Sequence, residues 1–186
     1  NYTPSCWSQL PGQTERGLIF LVGSENLVTV HPEMGQGELI ELEFDDEASV
    51  WDYCSVVAGE QVYWAMLGAK YDDNYDITHI VCLLNNEGKQ VWSHDLENLI
   101  PDEAATIDIA AGDFSGDGTT EIATVTDYDG LAQAKVTGPD GSTRVLRIYN
   151  LDGDIVMQTW LPAGCGEGMH VLRENFLFNL PVTTEK

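Results

Sequence analysis

The sequence predicts an all-β protein on three grounds. Apolar residues recur at every second position or in short continuous runs, those runs are bounded by Gly, Asn and Asp, and no stretch sustains an amphipathic helical period over three turns. In chain order, residues 5–10 form a candidate first strand, followed by strands at 18–23, 27–31 and 38–44. A second group opens with strands at 51–57 and 61–68, and a third with strands at 105–111 and 121–128. Each of these two groups then closes with a hairpin. The apolar tail 169–180, with Val171, Leu172, Phe176, Leu177, Phe178 and Leu180, reads as one more strand that Pro181 ends.

The two hairpins are copies of each other. His79 to Trp92 lies over Arg144 to Met157 in constant register, each with a β-rich strand, an acidic-Gly pair and a second strand. The pairs are Glu87-Gly88 and Asp152-Gly153, and glycine supplies the positive φ that a tight hairpin demands. Both units also share Ala-Gly after their first strand, Ala58-Gly59 and Ala111-Gly112, while residues 5–47 hold a fainter third copy. The expected organisation is therefore one domain, 1–186, with repeats at 5–47, 48–100 and 104–162 and a C-terminal strand segment at 163–186. Repeats of roughly 45–65 residues, each a four-stranded antiparallel sheet, are the sequence sign of a β-propeller-like array of blades. Propellers close with about 4–8 blades, so three repeats imply completion by the C-terminal strand or by other chains. A β-sandwich with Greek-key connections also fits repeated hairpins.

Composition narrows the function. Apolar residues at 43% and charged residues at 21% suit a packed globular domain, so wholesale disorder is not expected. With 31 Asp and Glu against 8 Lys and Arg, the net charge of −23 repels nucleic acid and anionic lipid and attracts cations. The ordinary consequence of such acidity is a solvated surface. No apolar run approaches the ~18 residues that span a bilayer, so membrane insertion is not expected. The chain opens at Asn1 without a starting Met or a signal-like segment, which is compatible with an exported, extracellular or cell-surface protein. Cys6, Cys54, Cys82 and Cys165 show no zinc-ligand spacing. They allow two disulfides, or buried thiols at Cys54 and Cys82, which sit in apolar strand-like runs.

The chemistry is concentrated between the strands at 105–111 and 121–128. Asp113, Ser115, Asp117 and Glu121 place oxygen-bearing side chains at positions 1, 3, 5 and 9 of the loop, with Gly118 at position 6 where the chain must curl. That spacing suits Ca²⁺, a hard cation taking about 6–8 oxygens, with the backbone carbonyl of Thr119 as a further donor. Softer metals would need nitrogen or sulfur donors. An EF-hand is excluded because position 12 is Thr124 and a strand follows. A plain Asp-Gly-rich turn between strands is the alternative.

Gly112 through Ile122 resembles the FG-GAP or VCBS-type repeat of integrin α-like propellers and secreted bacterial proteins. That repeat reads Gly-Asp-Phe-(Asn/Ser)-Gly-Asp-Gly-x-x-(Asp/Glu)-(Leu/Ile). The resemblance implies side-chain ligands Asp113, Ser115, Asp117 and Glu121 and a carbonyl ligand Thr119. The segments ending in Val91-Trp92 have a looser similarity to blades of quinoprotein-like propellers.

A second acidic cluster, Asp72, Asp73 and Asp76, lacks the glycine and reads as a solvated loop, and Asp127 with Asp129 is a weaker counterpart. The histidines share no spacing and no nucleophile motif is visible, so no enzyme is expected. Trp7, Trp51, Trp64, Trp92 and Trp160 suit packing between sheets or sugar stacking. The expected function is a non-enzymatic extracellular calcium-binding repeat protein in adhesion, surface or filament assembly, with protein partners or self-association. The alternative is a carbohydrate-binding module or the propeller scaffold of a polysaccharide-active enzyme.

Overall fold

A computed structural model of the chain describes residues 5–11, 16–23, 26–31, 35, 37–44, 48–71, 77–95, 105–127, 138 and 141–162. The all-β expectation holds: the described strands form three four-stranded antiparallel sheets, and the described residues include no helix. The first sheet comprises β1 (Ser5–Gln9), β2 (Arg16–Val22), β3 (Asn26–Val30) and β4 (Gly37–Glu41). The second comprises β5 (Ala48–Ala58), β6 (Gln61–Tyr71), β7 (Ile77–Leu84) and β8 (Gln90–Asp95). The third comprises β9 (Ala105–Gly112), β10 (Glu121–Asp127), β11 (Arg144–Tyr149) and β12 (Ile155–Trp160). Each is a meander in which every strand pairs with the next in sequence. The expected tail strand at 169–180 lies outside the described residues. None of the three sheets closes into a barrel among the described residues.

Burial explains the strand patterns. On β2 and β3, Ile19, Leu21 and Leu27 alternate with more exposed neighbours, the period-two signature of a sheet with one covered face. On β6, by contrast, Trp64 through Ala69 are buried without interruption, as expected for a strand with both faces covered. The middle sheet is packed on both sides. Toward the first sheet, Tyr53, Val62, Trp64, Met66, Ile80, Cys82 and Leu84 join Ile19, Leu21 and Leu27. Toward the third, Val56, Ala65, Leu67, Val81 and Leu83 join Ile109, Ile122, Val145 and Tyr149. Each large side chain so buried contributes about 1.5–3 kcal/mol.

These cores decide between the two alternatives for Cys54 and Cys82, in favour of buried thiols and against a disulfide at either. Cys54 and Cys82 are free buried thiols, not disulfide partners, and they sit in the two different cores on opposite faces of the middle sheet. Burial pushes the Cys82 thiol up to about 12, against a smaller opposing effect of a hydrogen bond with the Met66 backbone. The thiolate is disfavoured, and Cys82 serves as a small apolar filler. The Cys6 side chain and Cys165 lie outside the described residues.

The repeated hairpins have the same turn. Asn85 N–H donates to Lys89 O at 2.8 Å and Gly88 N–H to Asn85 O at 3.0 Å; the corresponding bonds are Asn150 to Asp154 at 3.0 Å and Gly153 to Asn150 at 3.1 Å. Each asparagine Oδ1 also accepts two backbone N–H groups of its turn, Glu87 and Lys89 in one, Asp152 and Asp154 in the other. These turns join the sheets. Glu43 N–H donates to Gly88 O at 2.7 Å, tying the second sheet's turn to the chain just after β4. Likewise Trp92 Nε1–H donates to Leu151 O at 2.9 Å, and His94 Nε2 lies 2.7 Å from Gly153 O, tying the third sheet's turn to β8. The outer hairpin of each later unit thus lands on the outer strand of the unit before it.

At the other side of the sheets, the first strands adjoin. β1 contacts β5, and β5 contacts β9. The Ser55 and Ser8 hydroxyls are hydrogen-bonded, and Tyr53 Oη–H donates to Ile19 O at 2.8 Å.

Candidate metal centre

β9 and β10 pair antiparallel with Glu121 opposite Gly112, so the intervening loop is held closed at its base by a strand pair. Inside the loop, Asp113 organises the backbone. Its Oδ1 accepts from Gly116 N–H at 2.6 Å and Asp117 N–H at 3.1 Å, and its Oδ2 from Gly118 N–H at 2.9 Å. Turning three amides toward one carboxylate requires left-handed backbone at Gly116 (φ 78°) and Gly118 (φ 89°), which glycine adopts at little cost.

Glu121 closes the other side. Its Oε2 accepts from Phe114 N–H at 2.7 Å and Ser115 N–H at 3.3 Å, while its Oε1 accepts from the Ser115 hydroxyl at 2.7 Å and the Thr119 hydroxyl at 3.2 Å. Although charged, Glu121 is buried, because it is the first residue of a strand covered on both faces. Asp117 Oδ1 accepts from Thr119 N–H at 2.8 Å and from its hydroxyl. Those two bonds, hydroxyl first, hold the Asp117 carboxyl below the usual carboxylate range, with slight desolvation opposing and the Ser115 hydroxyl assisting. Thr120 anchors the loop to the second sheet through its hydroxyl, which donates to Val57 O at 2.8 Å.

The result is a convergence of charge. Asp113, Asp117 and Glu121 each offer a carboxylate oxygen, and these oxygens lie within 4.8 Å of one another, a spacing at which one ion can touch all three. Like charges this close repel, and one of them is withdrawn from water. None of the described ion pairs relieves them: Lys70 pairs with Asp95, Lys89 with Glu43 and Arg144 with Asp127. The donors present are carboxylate and hydroxyl oxygens, the set that hard divalent cations prefer and that copper or zinc thiolate sites lack. The residues therefore fit a metal ion of that class.

Of the five residues singled out by sequence, Asp113, Asp117 and Glu121 form the cluster, and Ser115 and Thr119 brace it through their hydroxyls. Sequence spacing marked Thr119 for its carbonyl; the hydroxyl bridging Asp117 to Glu121 is a contact that spacing does not reveal. The burial of Glu121 and the Thr120 anchor were likewise invisible, since both depend on the neighbouring sheet.

The other acidic candidates do not join this cluster. Asp127 is committed to Arg144, whose Nε and Nη2 both lie 2.9 Å from its Oδ2, while Asp72, Asp73, Asp76 and Asp129 lie outside the described residues.

Among the tryptophans, Trp64 is wholly buried, and Trp92 and Trp160 pack against the core between the second and third sheets. Trp92 stacks on Tyr149 with ring centroids 5.9 Å apart. Exposed Trp51 meets His79 edge-on at 5.0 Å, and the Trp7 side chain lies outside the described residues. Comparison of the chain with protein-family profiles, with curated proteins and with solved structures finds no match.

Proposed function

We propose that this protein is a non-enzymatic, extracellular, calcium-binding repeat module that works through its surface in adhesion or assembly, with its sheets arranged as propeller-like blades. The convergence of Asp113, Asp117 and Glu121 on one point carries the reading. Calcium is favoured over Mg²⁺ because it accepts a larger, irregular set of oxygens, whereas Mg²⁺ demands a tight octahedron and keeps several waters. Bound there, the ion would neutralise the clustered charge and make the loop between β9 and β10 rigid.

The blade arrangement draws support from the repeated junctions. Each sheet packs face to face on the next, the first strands adjoin, and each outer turn rests on the preceding outer strand or the chain just beyond it. An assembly role draws support from the tryptophans, since Trp64, Trp92 and Trp160 are spent on packing between sheets.

Calorimetric titration of chelator-stripped protein tests the site. Calcium should bind at this loop more tightly than Mg²⁺, and Glu121→Gln should weaken calcium by at least ~10-fold, as loss of a charged donor requires. No calcium heat, or binding unchanged in Glu121→Gln, would remove the assignment.

A further inference from the structure

The three sheets end in the outer strands β4, β8 and β12. An edge strand presents a row of unpaired N–H and C=O groups that can template another strand, and charged side chains or a covering turn blunt it. Two of these edges are guarded in that way. β4 carries Glu38 and Glu41, and the next unit's turn bonds to the chain just beyond it, Gly88 O accepting from Glu43 N–H. β8 ends in Asp95 and receives the third sheet's turn on Trp92 and His94.

β12 has neither protection among the described residues. Its six residues, Ile155-Val156-Met157-Gln158-Thr159-Trp160, include no charge, no proline and no glycine, in a chain of net charge −23. Its β-branched and aromatic side chains favour a strand, and such a segment on an open edge is prone to pair. Ile155 is 40% exposed, Val156 55% and Met157 43%, and Gln158 and Thr159 are exposed as well. The one irregularity is a bulge at its start; from Met157 to Trp160 the ladder with β11 is regular.

The hydrogen bonds show which backbone groups face outward. Leu161 N–H donates to Arg144 O at 2.9 Å, and Gln158 stands opposite Arg147, three steps further along the ladder. Because bonded and non-bonded pairs alternate in an antiparallel ladder, the N–H and C=O of Gln158 turn away from β11.

We infer that two copies of this chain pair β12 against β12, antiparallel across a two-fold axis, joining their third sheets edge to edge. Charge selects the occupant. Against β4 or β8 of another copy, β12 would meet Glu38 and Glu41 or Asp95, whereas against a second β12 it meets no charge. Charge also selects the direction. Asp152 and Asp154 stand just before the strand, so a parallel pair would set each beside its counterpart. An antiparallel pair keeps the two Asp154 side chains roughly 20 Å apart, the length of six extended residues, and beyond the screening length of about 8 Å at physiological salt. Such a contact uses the same patch on both chains and stops at two. The inference rests on the assembly reading above and names its partner, but it does not depend on an ion in the loop.

Sedimentation velocity over a concentration series, in chelator, tests it with wild type, Met157→Glu, Met157→Lys and, on β4, Leu39→Glu as a control. The altered side chains are exposed, and circular dichroism checks that each variant folds. Wild type should form a dimer and nothing larger, more readily as added salt screens the repulsion between the chains. Met157 lies near the centre of β12, where a substitution approaches its own counterpart across the axis. Either Met157 variant alone should therefore dimerise at least ~10-fold more weakly, and the two mixed should recover a dimer by pairing Glu with Lys. Leu39→Glu should match wild type. In wild type itself, amide exchange at Gln158 should slow as concentration rises.

A monomer at every concentration would overturn both this pairing and the assembly reading. The pairing alone would be overturned by association that both Met157 variants leave intact, that mixing them fails to restore, that Leu39→Glu weakens equally, that grows beyond two chains, or that leaves Gln158 exchange unchanged.

Discussion

At the scale of single residues, the loop is a bargain between backbone and charge. Asp113 uses both oxygens to gather the amides of Gly116, Asp117 and Gly118, and Glu121 gathers those of Phe114 and Ser115 with Oε2 alone. This much was legible in the sequence, because the alternation of acids with glycines sets which side chains can turn inward. What was not legible is the part supplied by distant chain: the burial of Glu121, the Thr120 hydrogen bond to Val57, and the separation of Cys54 from Cys82 by the thickness of a sheet. Spacing along a strand says which face a cysteine takes only once the strand's neighbours are known. Asp117 gives this scale its prediction. Its carboxyl is held below the usual range by Thr119, so the stability it contributes in the absence of metal is present above the ordinary carboxylate pKa of ~3.9 and is lost as pH falls through the lower folded value. Thermal unfolding in chelator should therefore separate wild type from Asp117→Asn above pH ~4, and the two curves should converge in stronger acid. Parallel curves throughout would show that Thr119 does not favour the ionised form.

At the scale of elements, the hairpin is the unit that the sequence described best. The alignment of His79 to Trp92 with Arg144 to Met157 placed both turns, and the structure gives them the same hydrogen bonds around Asn85 and Asn150. Strand ends were less legible. β5 begins at Ala48 and β6 runs on to Tyr71, beyond the apolar runs at 51–57 and 61–68, because backbone pairing between Ala48 and Lys70 extends the ladder past the side chains that fill the core. The first sheet was the faintest copy for a related reason: three of its strands have only 5 residues, which leaves little length over which a copy can be matched. Glycine at the turn has a second duty that a hairpin rule does not contain. At Gly88 a Cβ would stand 2.0 Å from Glu41 O, whereas at Gly59, also with positive φ, it would meet nothing within 4 Å. Gly59→Ala should therefore cost only the left-handed backbone penalty, about 1–2 kcal/mol. Gly88→Ala should cost more, at least ~2–3 kcal/mol, since the junction with the first sheet must also give way. Equal losses in denaturant unfolding would mean that the junction at Gly88 is not tight.

At the scale of the whole molecule, one packing relation is used twice, sheet on sheet with the outer turn of one resting on the outer edge of its predecessor. Periodicity and the internal repeat were enough to foresee three four-stranded units, since both are local properties. They carry no information on how many units surround an axis, because that depends on the angle between faces and on what covers the last one. The middle sheet, buried on both sides, does not need an ion to hold its strands; the third depends on a loop in which three carboxylates crowd together. Metal binding should accordingly be felt as stability of the third sheet first, and through its junction with β8 by the rest. The most direct measurement is thermal unfolding of the chelator-stripped protein with and without calcium. At a concentration 100-fold above the dissociation constant the ion should stabilise by about 2.7 kcal/mol, raising Tm by roughly 5–10 °C, with Glu121→Gln showing little of this rise. An unfolding curve that calcium leaves in place, in wild type as in Glu121→Gln, would contradict the account at its centre.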